Sequence, residues 1–249
     1  MINIILSGAN GKMGQAVAAL SKKDPDLKIR AGFDINNIET DTFPVYTAPA
    51  EYTGEADCII DFSHPSAFDG IISYALARKL PVVFATTGLN PEQIAKINEA
   101  SKTIPVFYSA NMSVGVNLII DLVTRAENVL KDSFDVEIVE KHHHRKVDAP
   151  SGTALAIADA IKENSTKDYE YVYDRHAVRQ KRAENEIGIH AVRGGTIVGE
   201  HTVIFAGNDE IIEIKHTALS RDIFAEGALR AAKFITGKSA GLYKMKDLF

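Results

Sequence analysis

The chain of 249 residues has little cysteine, no tryptophan and no excess of positive charge. Its single cysteine, Cys58, excludes an intrachain disulfide. With 28 Lys and Arg against 33 Asp and Glu, the net charge of −5 argues against a nucleic-acid-binding protein that works by bulk positive charge. No apolar run approaches the roughly 20 residues that a membrane span needs, and the first residues lack the features of a secretory signal. We therefore expect a soluble, cytoplasmic protein that has neither a membrane nor a nucleic acid as its partner.

The first half of the chain alternates short β-branched apolar runs with helical patterns. This alternation predicts a Rossmann-type, doubly wound parallel sheet of the α/β class. The predicted strands span 2–6, 28–33, 58–62, 82–85 and 105–108, and the predicted helices span 12–20, 66–78 and 91–100.

The pattern changes after about residue 111. Alternation over 134–139 and two runs at 202–205 and 211–216 on either side of a Gly-Asn-Asp turn are typical of strands with one face in solvent. This region therefore predicts a second, α+β domain with a mainly antiparallel or mixed sheet. Its predicted helices span 116–130 and 153–163, and a last helix spans 223–236.

A glycine-rich turn follows the first predicted strand and opens the first helix. Gly8, Gly11 and Gly14 form a GxxGxxG pattern, and Asp34 ends the next strand at the place where a carboxylate accepts hydrogen bonds from an adenosine ribose. The pattern predicts a dinucleotide site, although a plain strand–helix turn with a solvated Asp34 would also fit. The absence of arginine directly after Asp34 favours NADH, while Lys12 inside the turn leaves NADPH open.

Two further loops follow strands whose carboxyl ends should meet at the same edge of the sheet. Because ligands of open α/β sheets bind at that edge, the loops 85–88 and 109–112 are candidates for contact with a nicotinamide. By composition alone each loop would equally be a turn or a helix cap.

Ionisable side chains are most concentrated in the segment 140–154, which contains three adjacent histidines. A metal site is disfavoured because consecutive side chains point in different directions and the cations at Arg145 and Lys146 would repel a metal ion. A solvated polar loop and an anion-binding catalytic site remain. In the second case, a Ser-Gly-Thr turn at 151–153 would offer amides and hydroxyls to a dicarboxylate, and a histidine would donate a proton.

The same segment closely resembles the signature of the 4-hydroxy-tetrahydrodipicolinate reductase family, also called the dihydrodipicolinate reductase family. The resemblance covers nearly the whole chain and includes the segments 8–14, 85–88, 109–117, 193–201 and 241–243. It implies an NADH- or NADPH-dependent reduction of 4-hydroxy-tetrahydrodipicolinate to tetrahydrodipicolinate, in lysine biosynthesis by the diaminopimelate route. It also implies a homotetramer, with a dinucleotide-binding domain at 1–112 and 220–249 and a substrate-binding and oligomerisation domain at 113–219.

The resemblance also implies roles for individual residues. His142 matches the acid/base residue of the family and Lys146 its second proton donor. His143, Gly152 and Thr153 match substrate-binding positions, and we add Ser151 to them as part of the same turn. The cofactor-binding candidates are Gly8, Ala9, Asn10, Gly11, Lys12, Met13, Asp34, Ala85, Thr86, Thr87, Ser109, Ala110, Asn111 and Met112. No residue is assigned to a metal.

Some positions depart from the family pattern, and some remain without a role. Ala85 stands where the family often has Gly and Met112 where it often has Phe, which leaves the cofactor preference open. Arg193 and His201 are expected to be structural. Two functions of other classes remain as alternatives, a non-catalytic regulator that senses the redox state of NAD and a metal-dependent hydrolase. The regulator would need the glycine turn but not the cationic segment.

Overall fold

A computed structural model describes residues 1–38, 40–176 and 178–249. The chain divides into two compact units. Unit 1 comprises Met1–Val114 and Arg221–Phe249, and unit 2 comprises Gly115–Ser220.

Unit 1 is built on a seven-stranded sheet in which every neighbouring pair of strands is parallel. The strands are β1 (Ile2–Ser7), β2 (Leu27–Phe33), β3 (Val45–Tyr46), β4 (Cys58–Asp61), β5 (Val82–Phe84), β6 (Pro105–Tyr108) and β12 (Gly241–Tyr243). Their order is β12-β6-β5-β4-β1-β2-β3. The chain reverses direction across the sheet between β1 and β4, and ligands of open α/β sheets bind at the carboxyl ends of strands at such a point.

Four helices cover the two faces of this sheet. They are α1 (Lys12–Ser21), α2 (Phe68–Arg78), α3 (Pro91–Ala100) and α6 (Asp222–Ile235). Local sequence explains their ends. Asn90 and Gln93 form a reciprocal capping box at the start of α3, with Pro91 at its first position. The helix α2 ends where Lys79 adopts a left-handed conformation, with φ of +53°.

The two hydrophobic cores of unit 1 follow from the alternation of side chains along a strand. Ile4 and Leu6 of β1 pack into the core that includes residues of α1 and α6, whereas Ile5 packs into the core that includes residues of α2 and α3. Both faces of the strand are therefore buried, which explains why its sequence is a continuous apolar run.

Unit 2 contains a five-stranded sheet packed against helices α4 (Val114–Leu130) and α5 (Gly152–Asn164). The strands are β7 (Asp135–His142), β8 (Glu170–Val172), β9 (Glu186–Arg193), β10 (Gly199–Ala206) and β11 (Ile211–Ala218), in the order β11-β10-β7-β9-β8. The pairs β10–β11 and β7–β10 are antiparallel, and the pairs β7–β9 and β8–β9 are parallel. The sheet is therefore mixed. The helix α5 lies between β7 and β8 in the chain and provides the crossover connection that parallel strands require.

The predicted fold class, a Rossmann-type sheet followed by a second α+β region, is confirmed. Two boundaries differ in an informative way. A short 3₁₀ turn over Pro65–Ala67 precedes α2, so this helix begins at Phe68 rather than at residue 66. The strand β7 continues through His142 instead of ending at residue 139. Among the helices in the described part of the chain, none has the length and apolar character that crossing a bilayer requires.

Candidate functional site

The turn between β1 and α1 brings backbone segments into very close approach. Gly8 has φ of +77°, and a Cβ on this residue would lie 2.6 Å from the carbonyl oxygen of Phe62. A Cβ on Gly14 would lie 2.2 Å from the carbonyl oxygen of Gly8. Glycine is therefore required at both positions, so that α1 can begin directly against the turn. A turn of this shape lets the backbone approach a pyrophosphate.

The carboxylate of Asp34 lies directly beside this turn. Its Oδ2 accepts a hydrogen bond from the backbone amide of Asn10 at 3.0 Å, and its Oδ1 accepts one from the amide of Asn36 at 3.1 Å. The side chain of Asn10 in turn donates to the carbonyl oxygen of Asn36 at 2.7 Å. The loop after β2 is thus tied to the glycine turn, and the carboxylate is held at the edge where a ribose would bind.

A cavity of about 470 Å³ opens between these loops, and we call it cavity A. Its lining includes the predicted residues Gly8, Gly11 and Asp34, together with Phe62, Ser63 and His64 from the loop after β4. This volume lies within the range of small-molecule and cofactor sites. His64 itself caps the 3₁₀ turn, where its Nδ1 accepts from the amide of Ser66 at 3.2 Å.

A second cavity of about 380 Å³, cavity B, lies within the same unit. Phe62 and Ser63 line both cavities. The predicted residues that line cavity B are Met13, Ala85, Thr86, Thr87, Ala110, Asn111 and Met112. The loops after β5 and β6 therefore meet beside the glycine turn, as expected for carboxyl ends of neighbouring parallel strands.

Four predicted cofactor residues line neither cavity: Ala9, Asn10, Lys12 and Ser109. Ala9 is buried and Lys12 is exposed. Ser109 supports the loop after β6, because its hydroxyl donates to the carbonyl oxygen of Asn111 at 2.7 Å.

Asp61, which sequence reasoning did not select, joins the loops around cavity B. It is fully buried at the carboxyl end of β4. Its Oδ2 accepts from the hydroxyl of Thr86 at 2.7 Å, and its Oδ1 accepts from the amide of Ser63 at 3.2 Å. The available signal was an acidic residue that ends an otherwise apolar strand. A carboxylate buried at such a place needs hydrogen-bond donors, which the neighbouring loops provide.

Unit 2 contains a second polar centre, built around Glu140 near the end of β7. Glu140 is fully buried, and its Oε2 lies 2.7 Å from Nδ1 of His142. Its Oε1 accepts from the backbone amide of Ser151 at 2.9 Å. Arg193 on β9 donates to both oxygens at 2.7 Å. Burial alone would raise the pKa of Glu140, but the hydrogen bonds from Arg193, His142 and the Ser151 amide hold this pKa below its usual value.

Ser151 joins this centre to the start of α5. It is the N-cap of the helix, where its Oγ accepts from the amide of Ala154 at 3.2 Å. The same Oγ lies 3.0 Å from Nε2 of His201 on β10. The rings of His142 and His201 meet edge to face, with their centroids 5.2 Å apart. Burial, and then the neighbouring His142, lowers the pKa of His201 to about 4.

The remaining predicted residues lie around this centre. Lys146 is largely buried and pairs with Asp148 at 2.8 Å, and this hydrogen bond lowers the pKa of the Asp148 carboxyl. His143 is half-buried, Gly152 is exposed as the first residue of α5, and Thr153 is half-buried behind it. Across the described residues, no three His, Cys, Asp or Glu side chains form a group that could hold a metal ion.

Both units match models of one protein family. The model described as "Dihydrodipicolinate reductase, N-terminus" matches residues 2–112, and the model described as "Dihydrodipicolinate reductase, C-terminus" matches residues 115–249. The chain belongs to the dihydrodipicolinate reductase family. The resemblance stated from the sequence is thereby confirmed, and with it the prediction of an oxidoreductase of this family.

Relatives in this family match over nearly their whole length. A 4-hydroxy-tetrahydrodipicolinate reductase from Caldanaerobacter subterraneus subsp. tengcongensis is 55% identical over 248 residues, which are 100% of this chain and 98% of that protein. The reductase of the same name from Clostridium tetani is 50% identical over 245 residues, which are 98% of this chain and 96% of that protein.

Solved structures show the same fold at lower identity. A dipicolinate-bound dihydrodipicolinate reductase from Paenisporosarcina sp. TG-14 superimposes with a TM-score of 0.85 and 22% identity, over 98% of this chain and 97% of that one. A diaminopimelate dehydrogenase from C. glutamicum, in complex with diaminopimelate, gives a TM-score of 0.61 and 15% identity, over 98% of this chain and 92% of that one.

Within this reductase, sequence reasoning named the histidine-lysine segment but not the side chains that organise it. From the sequence, Glu140 has no predicted role of its own, and Arg193 and His201 are predicted to be structural. One partner of Glu140, Arg193, is 53 residues away along the chain. Local spacing carries no sign of such a contact. The one available signal for these partners was a cluster of charged residues within strands whose other residues alternate between polar and apolar.

Proposed function

We propose that the protein catalyses the NADH- or NADPH-dependent reduction of 4-hydroxy-tetrahydrodipicolinate to tetrahydrodipicolinate, in lysine biosynthesis by the diaminopimelate pathway. The observation that carries the proposal is the grouping of His142, Glu140 and Ser151 in unit 2. It places a histidine beside the amino terminus of a 13-residue helix. Such a terminus favours a carboxylate, and a histidine is suited to proton donation near neutral pH.

The residues of unit 1 fit a dinucleotide. The Cβ positions of Gly8 and Gly14 would collide with backbone, so only glycine permits this turn. Asp34 is held next to cavity A by two backbone amides. We propose that cavity A holds the adenosine side of the cofactor and that the loops around cavity B hold the nicotinamide. When bound, the reduced nicotinamide supplies the hydride from its C4.

We propose that the residues of unit 2 bind the dicarboxylate and supply the proton. The amides of Gly152 and Thr153 and the hydroxyl of Thr153 would bind one carboxylate, in the turn that Ser151 holds through its amide bond to Glu140. His143 would contact the substrate. Lys146 would neutralise carboxylate charge and assist proton transfer. His142 would protonate the ring carbon next to the one that receives the hydride, while the substrate loses water. As part of the same proposal, we assign to this chain the function named for its relatives and a homotetrameric assembly.

A coupled spectrophotometric assay tests the proposal. The substrate is generated in place from pyruvate and aspartate semialdehyde by the preceding synthase, and the loss of NADH or NADPH absorbance is followed. We expect turnover in the parent and a loss of roughly 10²–10⁴-fold in kcat for His142→Gln, the range that general acid catalysis contributes. Lys146→Ala should also lose turnover, and both variants should bind NADH as the parent does.

Matched controls exist within unit 2. Like His142, His190 contacts a carboxylate, because its Nε2 lies 2.7 Å from the carboxylate of Glu137. Like Lys146, Lys215 forms an ion pair, with the carboxylate of Glu200 at 2.8 Å. We expect His190→Gln and Lys215→Ala to retain turnover. A folded parent that binds dinucleotide but reduces no dicarboxylate would instead support the regulator.

A further inference from the structure

The carboxylate of Glu140 has four hydrogen-bond donors and no exposed surface. Two of these donors come from Arg193, which also donates to the carbonyl oxygens of Asp148 and Val192 at 2.6 and 2.8 Å. A buried carboxylate held in this way by a guanidinium is neutralised and fixed in orientation. Glu140 is therefore a rigid, ionised acceptor.

This acceptor determines which nitrogen of His142 carries a proton. Because both oxygens of an ionised carboxylate only accept hydrogen bonds, the nitrogen at 2.7 Å, Nδ1, must donate. The neutral ring then has its lone pair on Nε2, and a proton available for transfer is bound at Nε2. The Nε2 side of the ring is next to Gly199, where a Cβ would lie only 3.1 Å from this nitrogen. Glycine at this position therefore keeps a side chain away from Nε2.

The second oxygen of the same carboxylate holds the helix that carries the predicted substrate-binding residues. Oε1 accepts from the amide of Ser151, directly before Gly152 and Thr153. A movement of the Glu140 side chain would therefore disturb both His142 and the start of α5.

We propose that Glu140, clamped by Arg193, is a positioning residue that sets the Nδ1–H tautomer of His142 and fixes its ring relative to the Ser151 turn. The inference rests on the proposed function for its catalytic consequence. In the proton step, the Nε2–H bond of the imidazolium breaks and a C–H bond forms on the substrate ring. The electron pair of the broken bond stays on Nε2, and Glu140 remains ionised throughout.

The variant Glu140→Gln gives a sharp test, because the donors around it are fixed. Two groups that can only donate, the Ser151 amide and Nη2 of Arg193, meet at Oε1, whereas only one, Nη1 of Arg193, meets at Oε2. The amide oxygen of glutamine should therefore take the place of Oε1. Its NH₂ group then faces Nδ1 of His142, which must become an acceptor. We expect the neutral ring to change from the Nδ1–H to the Nε2–H tautomer, with a loss of kcat of roughly 10²-fold or more and a smaller change in KM.

The tautomer is read by long-range ¹H–¹⁵N correlation spectra of the imidazole nitrogens. The spectra are recorded above the titration range of histidine, and His142 is assigned by the loss of its signals in His142→Gln. The matched control is Glu137→Gln. Glu137 lies on the same strand and also binds a histidine and arginines, His190, Arg175 and Arg182. We expect this control to leave both the His142 tautomer and kcat unchanged. We expect Glu140→Asp, which keeps the carboxylate, to retain more activity than Glu140→Gln.

An Nε2–H tautomer in the parent would overturn the proposal without any variant, so a variant that fails to fold does not remove the test. An unchanged tautomer or an unchanged kcat in folded Glu140→Gln would overturn it as well. The proposed function is tested separately, since it fails if the parent does not turn over. The tautomer result does not depend on turnover.

Discussion

At the scale of single residues, burial gives His201 a chemistry different from that of an exposed histidine. Only 5% of its surface is exposed, and its Nε2 lies 3.0 Å from the hydroxyl of Ser151. Burial, then the neighbouring ionisable groups His142, His216 and Lys146, lowers its pKa, while Glu140 acts in the opposite direction. His201 is therefore neutral at the pH where an exposed histidine begins to bind a proton.

This shift predicts a loss of stability in mild acid. Because the pKa of His201 is lowered from 6.5 in the unfolded chain to about 4 in the folded one, the unfolded state binds more protons between these values. The contribution of neutral His201 to the free energy of unfolding is fully present above about pH 6.5. It is lost as the pH falls towards 4, by an amount on the order of 3 kcal/mol. Urea unfolding across this range should show a shallower pH dependence in His201→Gln. The control is His176→Gln, at an exposed histidine, which should keep the pH dependence of the parent. An equal pH dependence of the free energy of unfolding in the parent and His201→Gln would contradict the prediction.

Asp34 predicts how the two cofactors are distinguished. Its carboxylate can accept hydrogen bonds from a ribose 2′-hydroxyl, but it repels a 2′-phosphate. We expect Asp34→Ala to weaken NADH binding about tenfold, equivalent to about 1.4 kcal/mol, and to weaken NADPH binding less or to strengthen it. Isothermal titration of both cofactors checks this, with the exposed Asp41→Ala as control. Equal losses for the two cofactors would show that Asp34 supports the loop rather than selecting the cofactor.

At the scale of elements, the pattern of unit 1 was readable because each element satisfies its own sequence rules. Parallel strands buried on both faces give apolar runs, and the helices between them have local start signals such as that at Asn90. The loops around cavities A and B could therefore be placed from topology alone. By contrast, β3, β8 and β12 are absent from the predicted strands, since strands of two and three residues carry too little periodicity.

The end of β7 shows why the centre of unit 2 was harder to read. Glu140 and Lys141 are polar and break the apolar alternation, so the sequence predicts a strand that ends at residue 139. Pairing with β9 and β10 nevertheless continues along the backbone to the end of this strand. The burial of Glu140 depends on Arg193, which a local pattern cannot reveal. The histidine segment was recognised by its residue types, whereas its geometry required the folded sheet.

The start of α5 gives a prediction about one element. Replacing Ser151 by alanine removes the cap on Ala154 and leaves Nε2 of His201 without its hydroxyl partner. We expect unfolding to become easier by about 1–2 kcal/mol, the usual cost of losing an N-cap. Chemical denaturation measures the change. Ser133→Ala, at an exposed serine, should stay within about 0.5 kcal/mol of the parent, and an equal effect of both variants would exclude a capping role.

At the scale of the whole molecule, β11 is an edge strand with an unusually apolar exposed surface. Ile211 and Ile212 are 66% and 37% exposed, and Leu219 beyond the strand is 85% exposed. Exposed apolar edges of this kind usually pair with another chain. They agree with the proposed tetramer, which the resemblance assigns to the domain at 113–219.

Light scattering coupled to size-exclusion chromatography tests this assembly. We expect a mass of four times 27.1 kDa for the parent. The double variant Ile211→Lys and Ile212→Glu should give a smaller species, because it places charges on the exposed edge. Val129→Lys, at an apolar residue 80% exposed on α4, is the control and should keep the parent mass. A monomeric parent would contradict the prediction.

The burial of Cys58 makes the molecule well suited to spectroscopic labelling. This thiol lies in the core at the start of β4, and burial raises its pKa above the ordinary value, so it stays protonated and shielded. Since it is the only cysteine of the chain, the native protein should react with no maleimide. A cysteine introduced on the surface of each unit would then carry a fluorescent dye at a known position. Energy transfer between the two dyes would report a change in the distance between them during turnover, without replacing Cys58.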